Sequence, residues 1–297
     1  MLPRVAVITV QYNNPGDTSK LVQSIASIYS LEGVSVIVVD NSTDPLKRTS
    51  SKALRTRDFM QVDVLRPKEN LFYWGGADYA IRKTWREKGS PLPDWIVVCN
   101  NDLTFDDKEF FNSIRQYDGT SHPIIAPSIL SSRGDQNPLL ESPPGFFQRA
   151  KWWVYDMNFA IARSMLRTHA VVKGGIETLK ANRAATEGSR KGLTAIYVEG
   201  SEPHQRAIYA PHGACIIFSR TFFERGGKLD TTVPMFAEEL TIASLAKHVG
   251  MTIWYDPWIY VIHREHSTTG RDLTRQKYQM ERAARRRYYQ LERERRQ

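Results

Sequence analysis

Short apolar runs alternate with longer amphipathic segments through the first third of the chain. Residues 4–10 and 34–39 are rich in β-branched side chains, and residues 16–30 between them repeat apolar positions at helical spacing. Two further apolar runs follow at residues 61–66 and 95–99. This alternation predicts strand-helix-strand units around a largely parallel sheet.

The second half of the chain has an irregular part and a regular part. About residues 131–205, a Pro-Pro-Gly turn, an aromatic run and a polar, Lys/Arg-rich stretch indicate a region inserted into the sheet domain. Regularity returns with an apolar strand at residues 213–218 and a helix over 238–249. Residues 252–262 then predict two short strands.

The end of the chain is basic. The protein carries a net charge of +9, and residues 271–297 hold ten Lys/Arg against four Asp/Glu. These residues also have high helix propensity. We therefore predict one α/β domain over residues 1–270 and a basic helix after it, which attracts polyanions such as anionic lipid or nucleic acid.

Cysteine usage and hydropathy bear on the compartment. Cys99 and Cys215 both lie in apolar, strand-like runs, which favours buried free thiols over a disulfide. The longest apolar runs are far shorter than the roughly 20 residues of a membrane-spanning helix. The first residues read as a strand rather than a signal peptide. The sequence predicts a cytoplasmic protein with, at most, peripheral membrane contact through the basic helix.

Polar residues follow the predicted strands, at the sheet edge where ligands bind in open α/β folds. Asp40 ends one apolar run, and Asn101 and Asp102 follow another. A carboxylate there suits Mg²⁺ or Mn²⁺, which bridge diphosphate oxygens, although turn and helix-cap roles use the same residue types. Glu238 and Glu239 open a predicted helix, where the helix dipole also favours carboxylates.

Common nucleotide and hydrolase motifs are absent from the sequence. It has no P-loop, dinucleotide fingerprint, nucleophile elbow or paired Cys-x-x-Cys. Five other motifs occur in order: Val-Ala-Val-Ile-Thr-Val-Gln-Tyr-Asn at 5–13, Val-Val-Asp-Asn-Ser-Thr-Asp at 38–44, Glu-Asn-Leu-Phe-Tyr-Trp-Gly-Gly-Ala-Asp at 69–78, Asn-Asn-Asp at 100–102 and the block at 213–263. In these motifs the sequence resembles the family 2 inverting glycosyltransferases, especially the rhamnosyltransferase-like branch of bacterial surface polysaccharide synthesis.

The resemblance implies a fold and a set of substrates. The fold would be an α/β, GT-A-type, Rossmann-like nucleotide-diphospho-sugar transferase fold, with a mixed, mostly parallel sheet and a C-terminal helical tail. The donor would be a UDP- or dTDP-linked sugar, and the acceptor a glycan or lipid-linked molecule recognised by the inserted region. The donor-binding residues would be Thr9, Tyr12, Asp40, Asn70, Gly75, Gly76, Asp78 and Asn101.

The same resemblance implies a metal site and a general base. Asp102 and His263 would hold Mn²⁺ or Mg²⁺. Asn100-Asn101-Asp102 stands where the family often has a two-aspartate motif, so a single carboxylate would hold the cation and the diphosphate and water would supply further ligands. The base would map to Glu239, where the family usually has aspartate, and Glu238 is its rival.

Two other classes of function compete with this interpretation. The basic tail, with Tyr288 and Tyr289 among its arginines, favours a nucleic-acid-binding protein, but residues 1–270 carry only +3 and no nucleic-acid partner is expected. A sugar-nucleotide nucleotidyltransferase would need a glycine-rich basic loop where residues 11–15 read Gln-Tyr-Asn-Asn-Pro. The terminal helix is also a candidate surface for a homo-oligomer.

One helical pattern inside the inserted region bears on its packing. Trp152, Tyr155, Phe159, Ala162 and Leu166 recur at helical spacing. Such spacing favours a core-facing helix over a sugar-stacking or membrane-inserting surface.

Overall fold

The computed structural model of the protein describes residues 2–50, 54, 60–132, 134–166, 204–264 and 273–294. The chain divides into two compact units. Unit 1 comprises Met1–Pro143, His204–Arg271 and Ala283–Gln297. Unit 2 comprises Pro144–Pro203 and Asp272–Arg282.

Unit 1 is built on one mixed, mostly parallel sheet. Its described strands are β1 (Val5–Gln11), β2 (Val34–Asp40), β3 (Gln61–Leu65), β4 (Trp95–Asn100), β5 (Leu103–Thr104), β6 (Ile124–Ser131), β7 (Gly134–Asp135), β8 (Arg206–Ile208), β9 (Cys215–Ser219) and β10 (Ile253–His263). The strand order is β3-β2-β1-β4-β9-β6-β10-β5, with β7 beside β6 and β8 beside β10. Strands β1 to β4 are mutually parallel, as are β6 and β10, whereas β9 runs antiparallel between β4 and β6.

Helices flank the sheet and also form unit 2. They are α1 (Pro15–Ile25), α2 (Phe72–Thr84), α3 (Phe110–Arg115), α4 (Phe146–Met157), α5 (Arg220–Glu224), α6 (Glu238–His248) and α7 (Arg275–Glu294). Helix α4 lies in unit 2, together with a helical segment over 159–166. Helix α7 begins in unit 2 and ends in unit 1. None of the described helices is long and apolar enough to cross a membrane.

The topology places a switch point at the carboxyl ends of β1 and β4. The chain passes from β1 to β2 and β3 on one side, and then returns to β4 on the other side of β1. Ligands bind at such a switch point in open α/β sheets. Helix α2 packs closely here because Gly76 lacks a side chain: an added Cβ would lie 3.0 Å from both Val10 methyl carbons.

The predicted apolar runs are strands, with two differences in detail. The helix expected over 16–30 ends at Ile25, and the two strands expected over 252–262 form the single strand β10. A register shift between Asp256 and Tyr260 explains the apparent break, since a bulge interrupts the apolar alternation. The two cysteines are buried free thiols, as predicted.

The second half of α7 is packed against unit 1. Tyr288 is fully buried and its hydroxyl lies 2.9 Å from that of Tyr209. Arg287 Nε donates to Asp230 Oδ2 at 2.7 Å. The part of the basic tail that lies in unit 1 is therefore anchored by both apolar and ionic contacts.

Unit 2 has a small core of its own. Tyr155, Ala162 and Tyr278 are buried together, with Phe159 packed against them. Tyr155 Oη donates to Glu281 Oε2 at 2.7 Å. The inward spacing of Tyr155, Phe159 and Ala162 is confirmed, whereas Leu166 is 45% exposed. The rest of the predicted insert, residues 167–203, lies outside the described residues.

Candidate active site

Gln11, the last residue of β1, ties the ends of the first two strands together. Its Nε2 donates to Asp40 Oδ1 at 2.8 Å and to Ser42 Oγ at 2.7 Å, and its Oε1 accepts from the backbone N of Asn14 at 2.8 Å. Asp40 Oδ2 accepts from the backbone N of Thr49 at 2.8 Å. Both Asp40 oxygens are therefore used within the protein, and Asp40 shapes the loop rather than presenting a free carboxylate.

Tyr12 and Thr9 differ sharply in accessibility. Tyr12 follows β1 with 38% of its surface exposed, and its hydroxyl lies 3.4 Å from Thr43 Oγ1. Thr9 is fully buried, paired in the sheet with Val38 and Cys99. The Thr9 side chain therefore lies inside the sheet, and its assignment to the nucleotide site stays a prediction.

The start of α2 is held against the loop after β2. Asn41 Nδ2 donates to the carbonyl oxygen of Phe72 at 3.0 Å, and Asn70 Oδ1 accepts from the backbone N of Phe72 at 2.8 Å. Asp78, further along α2, pairs with Arg82 at 2.8 Å. Asn70 thus positions the helix start, and Asp78 is engaged in an ion pair along the helix.

Backbone strain accumulates at this edge of the sheet. Asn13, Phe72 and Phe236 have φ values of 53°, 57° and 66°, in the left-handed region that side chains disfavour. They stand respectively after β1, at the start of α2 and just before α6. Strained residues of this kind persist where the surroundings over-determine them, and they concentrate at functional sites.

Asp102 and His263 come together at the carboxyl end of the sheet. Asp102 Oδ1 lies 3.2 Å from His263 Nε2. The other ring nitrogen, Nδ1, lies 2.7 Å from Gln136 Oε1, an atom that only accepts hydrogen bonds. With Nδ1 directed at Gln136, Nε2 is the ring nitrogen that faces the Asp102 carboxylate.

This pair fits a divalent cation. Adjacent ligands of an octahedral ion with bonds of about 2.1 Å lie about 3 Å apart, close to the spacing of the two atoms. A lone pair and a carboxylate oxygen both gain from a positive charge between them. Within the described ranges, no group of three or more His, Cys, Asp or Glu side chains is placed to hold a metal. A bound cation would therefore need other ligands, such as diphosphate oxygens and water.

The side chain of Asn101, which precedes Asp102, points into the protein interior. Its Nδ2 donates to the carbonyl oxygen of Asn14 at 3.2 Å and to Thr18 Oγ1 at 3.1 Å. The side chain is buried. Its role in the structure is to join the end of β4 to the start of α1, so the direct donor contact predicted for it is not supported.

Glu238 and Glu239 open α6 beside Gly213. The backbone N of Gly213 donates to Glu239 Oε1 at 3.2 Å, and Tyr73 Oη donates to the carbonyl oxygen of Gly213 at 2.9 Å. A Cβ on Gly213 would lie 2.8 Å from Glu239 Oε1, so only glycine leaves room for this carboxylate. Gly213 thus connects Glu239 with Tyr73 of α2.

The two glutamates differ in burial. Desolvation by burial, followed by repulsion from the Glu239 carboxylate, raises the pKa of Glu238 to about 8. Glu239 is partly exposed and accepts the Gly213 hydrogen bond. Burial also raises the pKa of Tyr73. The raised pKa favours a proton on Glu238 near neutral pH.

His212, Gln136 and Asn137 were not predicted from the sequence. The backbone N of His212 donates to Asn137 Oδ1 at 2.6 Å, and the His212 ring lies 6.1 Å from that of His263. Gln136 and Asn137 follow the two-residue strand β7, whose brevity gives little periodic signal. The His-Gly dipeptide before β9 was the available signal for His212.

Comparison with known proteins identifies the fold. No family model matches the chain. The chain is 22% identical over 265 residues to the low-salt glycan biosynthesis hexosyltransferase Agl10 of Haloferax volcanii, covering 89% of this chain and 68% of the relative. Its structure is similar to the mannosyltransferase PcManGT of Pyrobaculum calidifontis in complex with GDP-Man and Mn²⁺, with a TM-score of 0.53 and 14% identity. The fold is that of the GT-A glycosyltransferases.

Two further solved structures share this GT-A fold. GalNAc-T7 with UDP, GalNAc and Mn²⁺ has a TM-score of 0.59 at 13% identity, and S. aureus TarS has a TM-score of 0.52 at 11% identity. The similarity to PcManGT covers 90% of this chain and 59% of that protein. For GalNAc-T7 the two shares are 97% and 48%, and for TarS they are 88% and 36%. The predicted fold class is confirmed.

Proposed function

We propose that the protein is an inverting glycosyltransferase that moves a hexose from a nucleoside-diphosphate donor to an acceptor hydroxyl, with a divalent cation. The observation that carries the proposal is the placement of His212 and Gly213. The His212 ring lies beside His263 of the candidate cation pair, and the backbone of Gly213 binds the Glu239 carboxylate. The contacts of these adjacent residues support a proposed cation pair and a proposed general base within one site of a GT-A fold.

Glu239 is the proposed general base. In a single displacement, the acceptor oxygen forms a bond to the anomeric carbon while the bond from that carbon to the diphosphate oxygen breaks. The hydroxyl proton passes to Glu239, and the bonding electrons leave with the diphosphate. Glu239 suits this role because it is partly exposed, whereas Glu238 is buried and its raised pKa favours a proton on it near neutral pH.

Asp102 and His263 are the proposed cation ligands. A cation there supplies charge neutralisation for the departing diphosphate. Carboxylate ligands suit both Mg²⁺ and Mn²⁺, while an imidazole ligand favours transition metals. The proposed ligand pair therefore favours Mn²⁺ over Mg²⁺. The related structures named above with Mn²⁺ support this choice.

The nucleotide is proposed to lie between Tyr12 and the loop after β2. The exposed Tyr12 ring offers an aromatic face for a base, and the Gln11–Asp40 network holds the loop beside it. UDP and dTDP remain the proposed carriers, with rhamnose among the candidate sugars. The acceptor is proposed to be a glycan or a lipid-linked sugar, in line with the glycan biosynthesis in the name of the Haloferax relative.

The test is release of nucleoside diphosphate from a panel of UDP-, dTDP- and GDP-hexoses with Mn²⁺ and a mixture of glycan acceptors. We expect one donor to be consumed and the anomeric configuration of the product, read by NMR, to be inverted. Glu239→Gln should lower turnover by at least about 100-fold while Glu224→Gln, an exposed helix glutamate, should not. Consumption of no donor, or retention of configuration, would contradict the proposal.

A further inference from the structure

Helix α4 presents large apolar side chains to solvent. Phe146, Phe147, Trp153 and Met157 are 80%, 86%, 67% and 54% exposed. At about 100° per residue, Trp153, Phe146 and Met157 lie within an arc of about 40°, and Phe147 lies about 80° beyond it. These residues, which we term the α4 outer face, form one continuous apolar strip.

The inner face of the same helix fixes this orientation. Tyr155, on the opposite side, is buried with Ala162 and Tyr278 in the core of unit 2, and its hydroxyl bonds to Glu281. Helix α4 is therefore apolar on both faces. A helix that covers only a protein core has a polar outer face, and contiguous exposed apolar patches mark interaction sites.

Cations border the α4 outer face on both sides. By the same helical spacing, Arg149 lies about 40° beyond Trp153, and Lys151 lies about 40° beyond Phe147. Arg149 Nε also donates to the carbonyl oxygen of Pro144 at 2.8 Å, which holds it at the helix start. The described part of unit 2 is basic overall, with six cations against two acids: Arg149, Lys151, Arg163, Arg275, Lys277 and Arg282 against Asp156 and Glu281.

We propose that the α4 outer face docks on an anionic phospholipid surface, with the helix lying in the plane of the membrane. Aromatic rings and Met157 would enter the boundary between head groups and acyl chains, and Arg149 and Lys151 would lie at the depth of the lipid phosphates. The proposal does not rest on the glycosyltransferase assignment, since it concerns unit 2 alone.

Charge decides between a lipid surface and a protein partner. The core of a protein interface is depleted in charged residues, whereas interfacial helices carry Lys and Arg beside their aromatic face. The basic tail, the site first expected for membrane contact, is a weaker candidate in unit 1, because Tyr288 is buried and Arg287 is paired with Asp230. The α4 outer face combines cations with exposed apolar surface.

The test is flotation of the full chain with phosphatidylcholine vesicles, with and without about 30% phosphatidylglycerol. We expect binding to the anionic vesicles and at least about tenfold weaker binding to neutral ones. The triple variant Phe146→Gln/Phe147→Gln/Trp153→Gln should lose binding by at least about tenfold, whereas Trp258→Gln should not. Trp258 is the matched control because it is 63% exposed in unit 1.

Charge and self-association are tested separately. Lys151→Glu should weaken binding to the anionic vesicles, and Lys247→Glu, an exposed lysine of unit 1, should leave it unchanged. Absence of vesicle binding by the wild-type chain, or equal binding by the triple variant, would overturn the proposal. A wild-type dimer in light scattering that the triple variant abolishes, without any vesicle binding, would assign the face to a second copy instead.

Discussion

Burial separates the chemistry of two adjacent carboxyl groups, Glu238 and Glu239. Glu238 is enclosed at the start of α6, and its raised pKa keeps a proton on it. Glu239 reaches the Gly213 backbone N at 3.2 Å and is partly exposed. Two neighbouring glutamates thus have different surroundings, and only Glu239 combines partial exposure with a hydrogen bond from Gly213.

The raised pKa of Glu238 predicts a pH-dependent stability. Its pKa is about 8 in the folded protein, against 4.5 for an ordinary glutamate, so between these values the folded state binds more protons than the unfolded state. Stability contributed by this group is complete below about pH 4.5 and is lost as the pH rises to about 8. The cost by pH 8 is on the order of 4 kcal/mol.

Glu238→Gln should remove that cost. We expect the free energy of unfolding of this variant, measured in urea, to exceed that of the wild type by more at pH 8 than at pH 5. Glu224→Gln is the matched control, because Glu224 is exposed. If the variant and the wild type differ in free energy of unfolding by the same amount at pH 5 and at pH 8, the predicted proton on Glu238 is absent.

Gln136 is expected to act as a positioning residue for His263. Its Oε1 lies 2.7 Å from Nδ1 and so orients the ring with Nε2 toward Asp102. Gln136→Leu should weaken Mn²⁺ binding in the presence of nucleoside diphosphate by about 10- to 100-fold, as measured by electron paramagnetic resonance. Gln136→Glu keeps a hydrogen-bond acceptor and should retain most of the Mn²⁺ affinity. Gln61→Leu is the control for the loss of an amide side chain, because Gln61 is exposed in β3. Unchanged Mn²⁺ affinity in Gln136→Leu would remove this role.

At the scale of elements, Gly213 determines how α6 and α2 meet. It precedes β9, binds Glu239 through its N and receives the Tyr73 hydroxyl through its carbonyl oxygen. A methyl group at this position would lie 2.8 Å from Glu239 Oε1. The carboxylate must then move, although the backbone of the strand need not.

Gly213→Ala should therefore reduce turnover more than stability. Misplacement of a reacting group by about 1 Å costs on the order of 100-fold in rate. We expect a loss of that size with far-ultraviolet circular dichroism unchanged. Gly16→Ala is the control, because the nearest atom to its added Cβ is 4.0 Å away. Full activity in Gly213→Ala would show that the carboxylate position is not critical.

Elements with a clear pattern of apolar positions were predictable from the sequence, and elements without such a pattern were not. The buried strands β1, β2 and β4 are continuous apolar runs, which the parallel sheet requires, and the sequence shows them directly. The outer face of α4 was not predicted, because the pattern from Trp152 to Leu166 was interpreted as one inward face. In a helix that is apolar on both sides, the spacing of apolar residues does not distinguish the inner face from the outer face.

At the scale of the whole chain, the candidate site joins segments far apart in sequence. Asp102 and His263 are predictable as motif residues, and their 3.2 Å separation follows from the pairing of β5 with β10. The burial of Thr9 and Asn101 was not predictable, because a motif does not reveal which way a side chain turns at a strand end. Gln11 and Gln136 were missed, because hydrogen-bonded positioning residues have no pattern of their own.

The central claim is that this sheet edge binds a nucleoside diphosphate together with a cation held by Asp102 and His263. The most direct test is the thermal shift of the full chain with UDP, dTDP, GDP, CDP and ADP, each with and without Mn²⁺, since a ligand of the folded state raises the melting temperature. We predict that one diphosphate raises it, that Mn²⁺ increases the shift, and that Asp102→Asn removes the Mn²⁺ increment. The absence of a shift with every diphosphate, or an increment that Asp102→Asn retains, would contradict the account.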